Sequence, residues 1–427
     1  MKRFLLLTVL VCGLFVLDAC NDDESFPQVN ANFNADRTSI LVGESIAFTD
    51  STTGEPNSWF WTIDGGNPNE STLQNPIITF QQTGEFTITL EASNSGNSDV
   101  ESKPDFIRVI PEVTAEFETS LTVINEGQEV IFTDTSEGDP TSWQWNFEGG
   151  MPAISSEQNP AVTYLESGVF SVTLEASNEL STNNITKEAI ILVLPIDGLQ
   201  AHYPLDGSAE DLTGTYPAGI IDNAASVTNR DNLPNKALEF DGMTSNVDLG
   251  DILDEIFTGE DKIFSISLWL KTNASSANNL IISKLGDSGC SEDQRTFTIR
   301  IVNNRFNALF YQSLTSNSFR RWEGETTLEV DTWYHLVINY NGETDINNGA
   351  DRLSVHIDSE PEPISLNGVE GSLGFLQNGT AHLGLGNRLD SSGDNCGTNL
   401  TFNGSIDDVR IFNRILTSSE IQVLFQE

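Results

Sequence analysis

The chain has 427 residues, a length typical of about three domains. Its 63 acidic and 20 basic residues give a net charge of −43, which repels phosphate backbones and anionic lipid headgroups and so excludes nucleic acid as a partner. Four cysteines and four histidines, with no CxxC pair, are too few for a zinc framework.

The N-terminus has the pattern of an export signal. Two basic residues precede an uncharged run over residues 4–17, which is too short to cross ~30 Å of hydrocarbon as a helix but suits a signal peptide. Residues 17–20 (LDAC) resemble the end of a bacterial lipoprotein signal, although Asp18 departs from the usual small residue. The resemblance implies that Cys20 is lipidated. A plain secretory peptide with an incidental cysteine is the alternative.

An acidic run follows the cysteine. Residues 21–24 (NDDE) resemble the export tag that sends lipoproteins of Bacteroidetes-type bacteria to the outer face of the outer membrane. The resemblance implies that outer-membrane lipid is the partner of Cys20 and that the protein is displayed on the cell surface. A solvated linker is the alternative interpretation of this run.

The next part of the chain is a tandem duplication. The string FTD at residues 48–50 recurs at 132–134, and LEASN at 90–94 recurs at 174–178, each 84 positions later. The same offset relates glycine, tryptophan and proline positions between these strings, so no net insertion separates the two copies.

Each copy has the period of β-strands. Residues 86–92 alternate apolar and polar side chains, and residues 170–176 repeat the alternation, which is typical of a half-buried antiparallel strand. Short strands between turn signals such as DGG at 64–66 predict a sandwich of about seven strands in each copy.

Both copies also resemble a known family. Residues 58–65 (SWFWTIDG) and 142–149 (SWQWNFEG) are similar to the central motif of PKD domains, which implies spacer or adhesion modules. The period-two spacing predicts that Trp61 and Trp145 lie in the two cores. The spacing does not decide whether Trp59 and Trp143 are buried.

After residue 198 the repeat stops and alternating strands continue, for example over residues 264–270 and 353–357. Only the C-terminus has a helical period, where Thr417 and Glu420 form a capping box. So many strands predict a second, larger β-sandwich of the jelly-roll type.

Five motifs in this part stand in the order of the laminin-G-like, concanavalin A-like jelly rolls, which it therefore resembles. They are residues 201–207 (AHYPLDG), 236–242 (KALEFDG), 264–271 (FSISLWLK), 333–335 (WYH) and 404–414 (GSIDDVRIFNR). The resemblance implies the fold and leaves the activity open, because this fold carries many functions.

The predicted fold class is therefore all-β, with two tandem immunoglobulin-like sandwiches followed by a concanavalin A-like jelly roll. We expect five segments along the chain. They are a signal peptide (1–19), an acidic tether (20–26), two PKD domains (27–111 and 112–195) and a laminin-G-like domain (196–427).

Two cysteines remain in the predicted mature domains. Cys290 and Cys396 lie in turn-rich segments of a protein that we expect outside the cytoplasm. Two leftover cysteines in an oxidising compartment usually pair, so we predict a disulfide between them. Two free thiols are the alternative.

The sequence carries no recognisable catalytic motif. Laminarinase-type hydrolases of this fold use a Glu-x-Asp-x-Glu strand, whereas the nearest string here, residues 329–331 (EVD), lacks the third carboxylate. His202, His335, His356 and His382 accompany no nucleophile motif such as GxSxG. We therefore expect a protein that is not an enzyme.

The expected function is binding. We predict a non-catalytic cell-surface lipoprotein in which a PKD stalk presents a lectin-like head to polysaccharide, as a monomer beside a glycan-import complex. An adhesin or matrix protein that binds a protein or a host surface is the first alternative. A glycoside hydrolase is the second.

The jelly-roll resemblance also implies a structural calcium ion. In hydrolases of that fold, one site uses the acidic residue of a final-strand motif like residues 406–410 (IDDVR), with carbonyl oxygens from the first strand and from a Phe-Asp-Gly turn. This implies Asp407, Gly242 and Asp206 as ligands, a mixed oxygen set that calcium accepts. The alternative is that these acids cap turns.

Trp322 is the residue that we expect to contact a sugar. It lies in residues 318–324 (SFRRWEG), a polar stretch without the alternation around it, which predicts an exposed ring for the apolar face of a pyranose. Arg320 and Arg321 precede it and Tyr311 ends the preceding strand. Arginine offers paired donors to hydroxyls or carboxylates. The alternative is a packed tryptophan with its arginines in surface ion pairs.

Overall fold

The computed structural model describes residues 26–259, 262–273, 278–286, 294–311, 319–344, 351–370, 376, 379–396 and 400–427. Sheets dominate these residues, which confirms the predicted all-β class. The chain divides into two compact units, one formed by residues up to 116 with 135–143 and 175–184, the other by residues 117–134, 144–174 and 185–427. In the described ranges, neither helix has the length and apolar character that crossing a membrane requires.

The first copy of the repeat is a two-sheet sandwich. Its sheets have the strand orders β1-β3-β7-β5 and β2-β9-β8-β4-β6, in which β2 runs parallel to β9. Two short strands, β5 and β6, lie one at an edge of each sheet and raise the number of strands above the seven expected. The strands are β1 (Phe33–Ala35), β2 (Ser39–Leu41), β3 (Ser45–Asp50), β4 (Ser58–Ile63), β5 (Gly66–Asn67), β6 (Glu70–Ser71), β7 (Ile77–Phe80), β8 (Gly84–Ser93) and β9 (Ser98–Ile110).

The second copy repeats this topology strand for strand. Its sheets have the orders β10-β12-β16-β14 and β11-β18-β17-β13-β15. The first residue of each strand lies 84 positions after its counterpart, as the sequence repeat predicts. The strands are β10 (Phe117–Thr119), β11 (Val123–Asn125), β12 (Glu129–Asp134), β13 (Ser142–Phe147), β14 (Gly150–Met151), β15 (Ile154–Ser155), β16 (Ala161–Tyr164), β17 (Gly168–Ser177) and β18 (Thr182–Leu194).

Each small sandwich is built around one tryptophan. Trp61 and Trp145 are both 0% exposed, which confirms the core positions predicted for them. Each indole Nε1 donates a hydrogen bond of 2.9 Å to a backbone carbonyl, of Leu73 and of Glu157 respectively. Trp59 is half-buried at the margin of its core. Buried indoles thus keep a partner for their N–H group.

The C-terminal part, called the head below, is a larger sandwich. Sheet A has the order β21-β22-β34-β24-β29-β30-β31 with β19 also paired to β34, and sheet B has the order β20-β23-β33-β25-β26-β27-β28-β32. The elements are β19 (Leu199–Tyr203), β20 (Ile220–Asp222), β21 (Ala225–Val227), β22 (Ala237–Asp241), β23 (Asn246–Asp248), α1 (Asp254–Phe257), β24 (Ile263–Thr272), β25 (Asn279–Gly286), β26 (Gln294–Val302), β27 (Arg305–Tyr311), β28 (Phe319–Gly324), β29 (Trp333–Asn341), β30 (Leu353–Ile357), β31 (Glu360–Pro361), β32 (Ile364–Glu370), β33 (Leu383–Leu385), β34 (Asn403–Phe412) and α2 (Ser418–Gln426).

The head core lies between sheets A and B. Sheet A contributes side chains such as Ile266 and Ile338, and sheet B contributes Phe297, Ile299 and Phe310. All of these are at most 1% exposed. Because successive side chains of a strand point to opposite faces, the intervening residues of each sheet lie on its outer face, away from the core.

The C-terminal helix begins where the sequence predicts. Thr417 Oγ1 accepts a hydrogen bond from the backbone N–H of Glu420 at 3.3 Å, and Glu420 Oε2 accepts one from the N–H of Thr417 at 2.7 Å. This reciprocal pair is a capping box, which satisfies two of the free N–H groups at the start of α2. The predicted box is confirmed.

The packing of Trp145 generates a stability prediction. Its ring stacks on Phe147 at 5.6 Å and meets Phe117 edge-on at 5.3 Å. Trp145→Ala leaves a cavity and an unpaired carbonyl, so it should lower the free energy of unfolding by about 3–5 kcal/mol in calorimetry. Gln144→Ala, at the exposed neighbouring position of the same strand, should change it by less than ~0.5 kcal/mol. Equal effects of the two substitutions would contradict the core position.

Candidate functional site

The outer face of sheet A is covered by α2. Phe425 stacks on Trp269 of β24 with ring centres 5.6 Å apart. Asn339 of β29 donates its side-chain amide to the carbonyl oxygen of Leu416 at 3.1 Å, just before the helix. A ligand therefore cannot reach the central strands of sheet A from outside.

Several buried polar side chains around Trp269 and His335 contact one another. Arg230 Nη1 donates to Asp407 Oδ2 at 2.7 Å, and its guanidinium lies 4.7 Å above the Trp269 ring. Burial raises the pKa of Asp407 to about 7, although Arg230 opposes the shift. His335 Nε2 lies 2.8 Å from Ser267 Oγ. The rings of Trp269 and His335 both lie near Phe425 of α2, 5.6 Å and 6.2 Å from its ring centre.

Two other histidines pair with carboxylates. His202 Nε2 lies 2.7 Å from Asp408 Oδ1, and His382 Nδ1 lies 2.8 Å from Asp248 Oδ1. His202 links β19 to β34, and Asp248 ends β23. These contacts tie neighbouring strands and loops of the head together.

The three calcium ligands implied by the resemblance do not converge. Asp407 is 2% exposed and bound to Arg230, while the exposed Asp206 pairs with Lys236. Gly242 lies opposite residue 402, five residues from Asp407, which is about 16 Å along an extended strand.

The Gly242 carbonyl oxygen is also engaged, since it accepts a hydrogen bond from Thr401 Oγ1 at 2.6 Å. This ligand set is therefore wrong. The described residues contain no group of three or more His, Cys, Asp or Glu side chains that could hold a metal ion. Calcium binding by the head stays a prediction without an assigned site.

The outer face of sheet B carries a row of polar side chains. Strand register aligns Arg300 of β26 with Asn307 of β27 and Asn307 with Glu323 of β28. Arg300 Nε donates to Asn307 Oδ1 at 2.8 Å, and Asn307 Nδ2 donates to Glu323 Oε1 at 3.3 Å. Asn367 of β32 donates its amide to the other oxygen of Glu323. The four residues form the polar row of sheet B.

A cleft opens beside the two middle residues of the polar row. It encloses about 400 Å³ and is lined by Asn307 and Glu323 together with Arg305 and Thr327. The β26–β27 hairpin, whose turn is formed by Asn303 and Asn304, borders it. Two of the four residues of the polar row therefore face a space that a small ligand can enter.

A second row on the same face lies beside the first. Register aligns Thr298, Leu309 and Arg321 on three neighbouring strands. Leu309 belongs to a small apolar cluster with Leu285, Tyr311 and Phe319. The guanidinium of Arg321 lies 5.2 Å from the centre of the Phe319 ring. The outer face of sheet B thus combines charged, polar and apolar groups.

The structure corrects the sugar-contact residue. Trp322 is 1% exposed and packs edge-on against Phe310 in the head core, so the prediction of an exposed ring is wrong. Arg320 is also 1% exposed and lies on the same inner side of β28. The stretch is a strand, and its alternation sends these two side chains inward.

Two of the predicted ligand-binding residues do lie on the outer face of sheet B. Arg321 is half-buried there, whereas Tyr311 is buried, with the guanidinium of Arg295 5.8 Å from its ring centre. Sequence reasoning missed the polar row. The signal for part of it was present, because the two-residue Asn303–Asn304 turn pairs Arg300 with Asn307.

The structure describes only one of the two cysteines of the predicted disulfide. Cys396 is 1% exposed and disulfide-bonded. Its carbonyl oxygen accepts a hydrogen bond from Arg388 Nη2 at 2.9 Å. Cys290 lies outside the described residues, as does the lipidation residue Cys20, so the pairing with Cys290 and the lipid anchor stay predictions.

Family models match all three domains. The PKD domain model matches residues 30–103 and 114–191. A model described as the concanavalin A-like lectin/glucanases superfamily matches residues 241–422. The matched residues include most of both small sandwiches and most of the head, including the polar row.

Solved structures that resemble parts of this chain come from several sources. The binding domain of Paraclostridial Mosquitocidal Protein 1 is 13% identical, with a TM-score of 0.37 over 53% of this chain and 52% of that one. The Trypanosoma rangeli sialidase bound to 2,3-difluorosialic acid is 11% identical, with a TM-score of 0.37 over 89% and 66%.

The binding domain of botulinum neurotoxin serotype D is 14% identical, with a TM-score of 0.34 over 54% and 51%. The chain thus spans between about half and two thirds of the length of these proteins. Likenesses at this level identify neither a shared fold nor a shared activity.

The buried His335 generates a pH prediction. Burial lowers its pKa to about 3, although Asp408 opposes the shift, whereas an unfolded histidine has a pKa near 6.5. Between these values the unfolded chain binds a proton that the folded head excludes, so stability falls as the pH falls below about 6.5. The contribution is about 1.4 kcal/mol per pH unit.

Unfolding free energies measured between pH 7 and pH 4.5 should therefore be less steeply pH-dependent in His335→Gln than in the parent. The difference in slope isolates His335 from the carboxylates that titrate in both proteins. Identical slopes would show that this histidine takes up a proton in the folded head.

Proposed function

The chain is built from two PKD domains and a domain of the concanavalin A-like lectin/glucanase superfamily, and we propose that it is a non-catalytic glycan-binding protein of the bacterial cell surface. In this proposal the head binds polysaccharide through the outer face of sheet B. The PKD pair acts as the stalk, and Cys20 carries the lipid that anchors the chain in the outer membrane.

The polar row of sheet B is the observation that supports glycan binding. Sugar hydroxyls both donate and accept hydrogen bonds, and the row offers donors on Arg300 and Asn367 with an acceptor on Glu323 between them. Neighbouring strands are about 4.8 Å apart, so the four strands of the row present these groups over about 14 Å, the length of roughly three sugar residues. The hydrogen bonds within the row hold the side chains in place before a ligand arrives.

The non-catalytic part of the proposal rests on the carboxylates. Glu329 and Asp331 are exposed and precede β29, where Asp331 donates its N–H to the carbonyl of Thr272 at 2.7 Å in a turn. The polar row contains one carboxylate, Glu323, whose two oxygens accept amide hydrogen bonds. A retaining glycosidase needs two carboxylates about 5 Å apart across the scissile bond.

The test is retention on polysaccharides. Purified full-length protein should be retarded in affinity electrophoresis by at least one member of a polysaccharide panel. Asn367→Ala removes an exposed amide from the polar row and should weaken retention about three- to tenfold, as expected for one hydrogen bond.

Asn34→Ala is the matched control, because Asn34 is an exposed asparagine on β1 of the first sandwich. It should leave retention unchanged. Retardation by no polysaccharide, or equal retention of Asn367→Ala and the parent protein, would contradict glycan binding at this face.

A further inference from the structure

Two arginines lie close together on the outer face of sheet B. Arg300 belongs to the polar row, and Arg321 belongs to the adjacent row two strands away. Partial burial lowers the pKa of Arg300, and the charge of Arg321 adds to this effect, whereas Tyr311 and Glu323 oppose it. The two guanidinium groups are thus near enough to repel each other.

Neither arginine forms an ion pair with a residue that the structure describes. Arg321 lies against the Phe319 ring, and its Nε atom has no hydrogen-bond partner among those residues. Elsewhere in the head, arginines form ion pairs with carboxylates, for example Arg410 with Glu427 and Arg414 with Glu420.

This difference between the two arginines and the paired arginines of the head is unexpected, because acidic residues outnumber basic ones by 63 to 20. In such a chain, two neighbouring arginines that form no ion pair with a described residue are unfavourable by mutual repulsion. An external anion between them would remove that repulsion.

The surroundings of Arg300 orient it for such a role. Its Nε is held by Asn307, and no described residue accepts a hydrogen bond from its two terminal nitrogens. Terminal guanidinium nitrogens form paired hydrogen bonds with the two oxygens of a carboxylate or a sulfate group. Glu323 is engaged by amides of Asn307 and Asn367, so it does not occupy this position.

We propose that the head selects saccharides that carry carboxylate or sulfate groups, and that Arg300 and Arg321 bind those groups. This rests on the proposed glycan-binding function and narrows its ligand to an anionic glycan. Neutral groups of the row, such as Asn307 and Asn367, then contact the hydroxyls beside the acidic group. The net negative charge of the rest of the chain limits non-specific binding of other polyanions.

The experiment compares four immobilised probes by biolayer interferometry with full-length protein. They are polygalacturonate for carboxylates, dextran sulfate for sulfate esters, dextran as the neutral saccharide, and poly-L-glutamate as the acidic peptide. We expect binding to polygalacturonate, dextran sulfate or both, and not to dextran or poly-L-glutamate. Which acidic probe binds identifies the anion.

Arg300→Gln and Arg321→Gln should each weaken that binding at least about tenfold, because each removes a charge-assisted pair of hydrogen bonds. Arg37→Gln removes the same charge from an exposed arginine of the first sandwich and should have no effect. Melting curves verify that the variants are folded. Arg300→Lys keeps the charge without the planar fork and should bind more weakly than the parent protein.

A second measurement does not depend on any variant. Raising the salt concentration from 0.05 to 0.5 M should weaken binding of the parent protein strongly, since salt screens charges at an exposed site. Salt-independent binding would overturn the proposal, as would equal binding to dextran, equal binding to poly-L-glutamate, or an Arg37→Gln loss as large as that of Arg300→Gln. Binding to neutral polysaccharide alone, lost in Asn367→Ala, would overturn anion selection and leave glycan binding standing. Binding to no saccharide would overturn both.

Discussion

Period-two alternation along antiparallel strands is the constraint on which the rest of this protein depends. A strand places every second side chain in a core and the others on an outer face, so a residue's position in the alternation decides its environment. In both small sandwiches this puts one tryptophan inside and the tryptophan two positions earlier at the margin. The same rule in the head separates the core from the two outer faces on which any sheet-borne site must lie.

The two outer faces of the head differ in whether another element covers them. On sheet A, buried polar side chains such as Ser267 and His335 meet partners, and α2 closes over them. On sheet B, the polar row borders a cleft of about 400 Å³. The distribution of charge follows this difference, because Arg230 on the closed side is paired with Asp407 while Arg300 on the other side is not paired with a described carboxylate.

The sequence predicts the buried face of a strand best where only one of its two faces carries apolar residues. Trp61 and Trp145 alternate with polar or exposed residues, and the duplication supplies the same pattern twice. The stretch from Phe319 to Glu323 is different, because each face of that strand carries one aromatic residue and arginine. Alternation alone does not tell which face is buried, so the prediction of an exposed Trp322 is wrong and the ring belongs to the core.

Long-range pairing limits prediction of the site. The Arg300–Asn307 contact follows from a two-residue hairpin turn whose asparagines both have positive φ, at 50° and 62°, and is therefore local. Glu323 and Asn367 are 44 residues apart in sequence and lie on two different strands. The register between those strands cannot be read from either segment alone. The calcium ligands failed for the same reason, since the pairing of β22 with β34 separates Gly242 from Asp407.

A crystal structure of the protein with a bound oligosaccharide tests the assignment of the binding face most directly. The oligosaccharide should lie on the outer face of sheet B, within hydrogen-bond distance of the polar row and beside the cleft bordered by the Asn303–Asn304 turn. An oligosaccharide seated on a PKD domain, or on the α2 side of the head with the polar row unchanged, would contradict it.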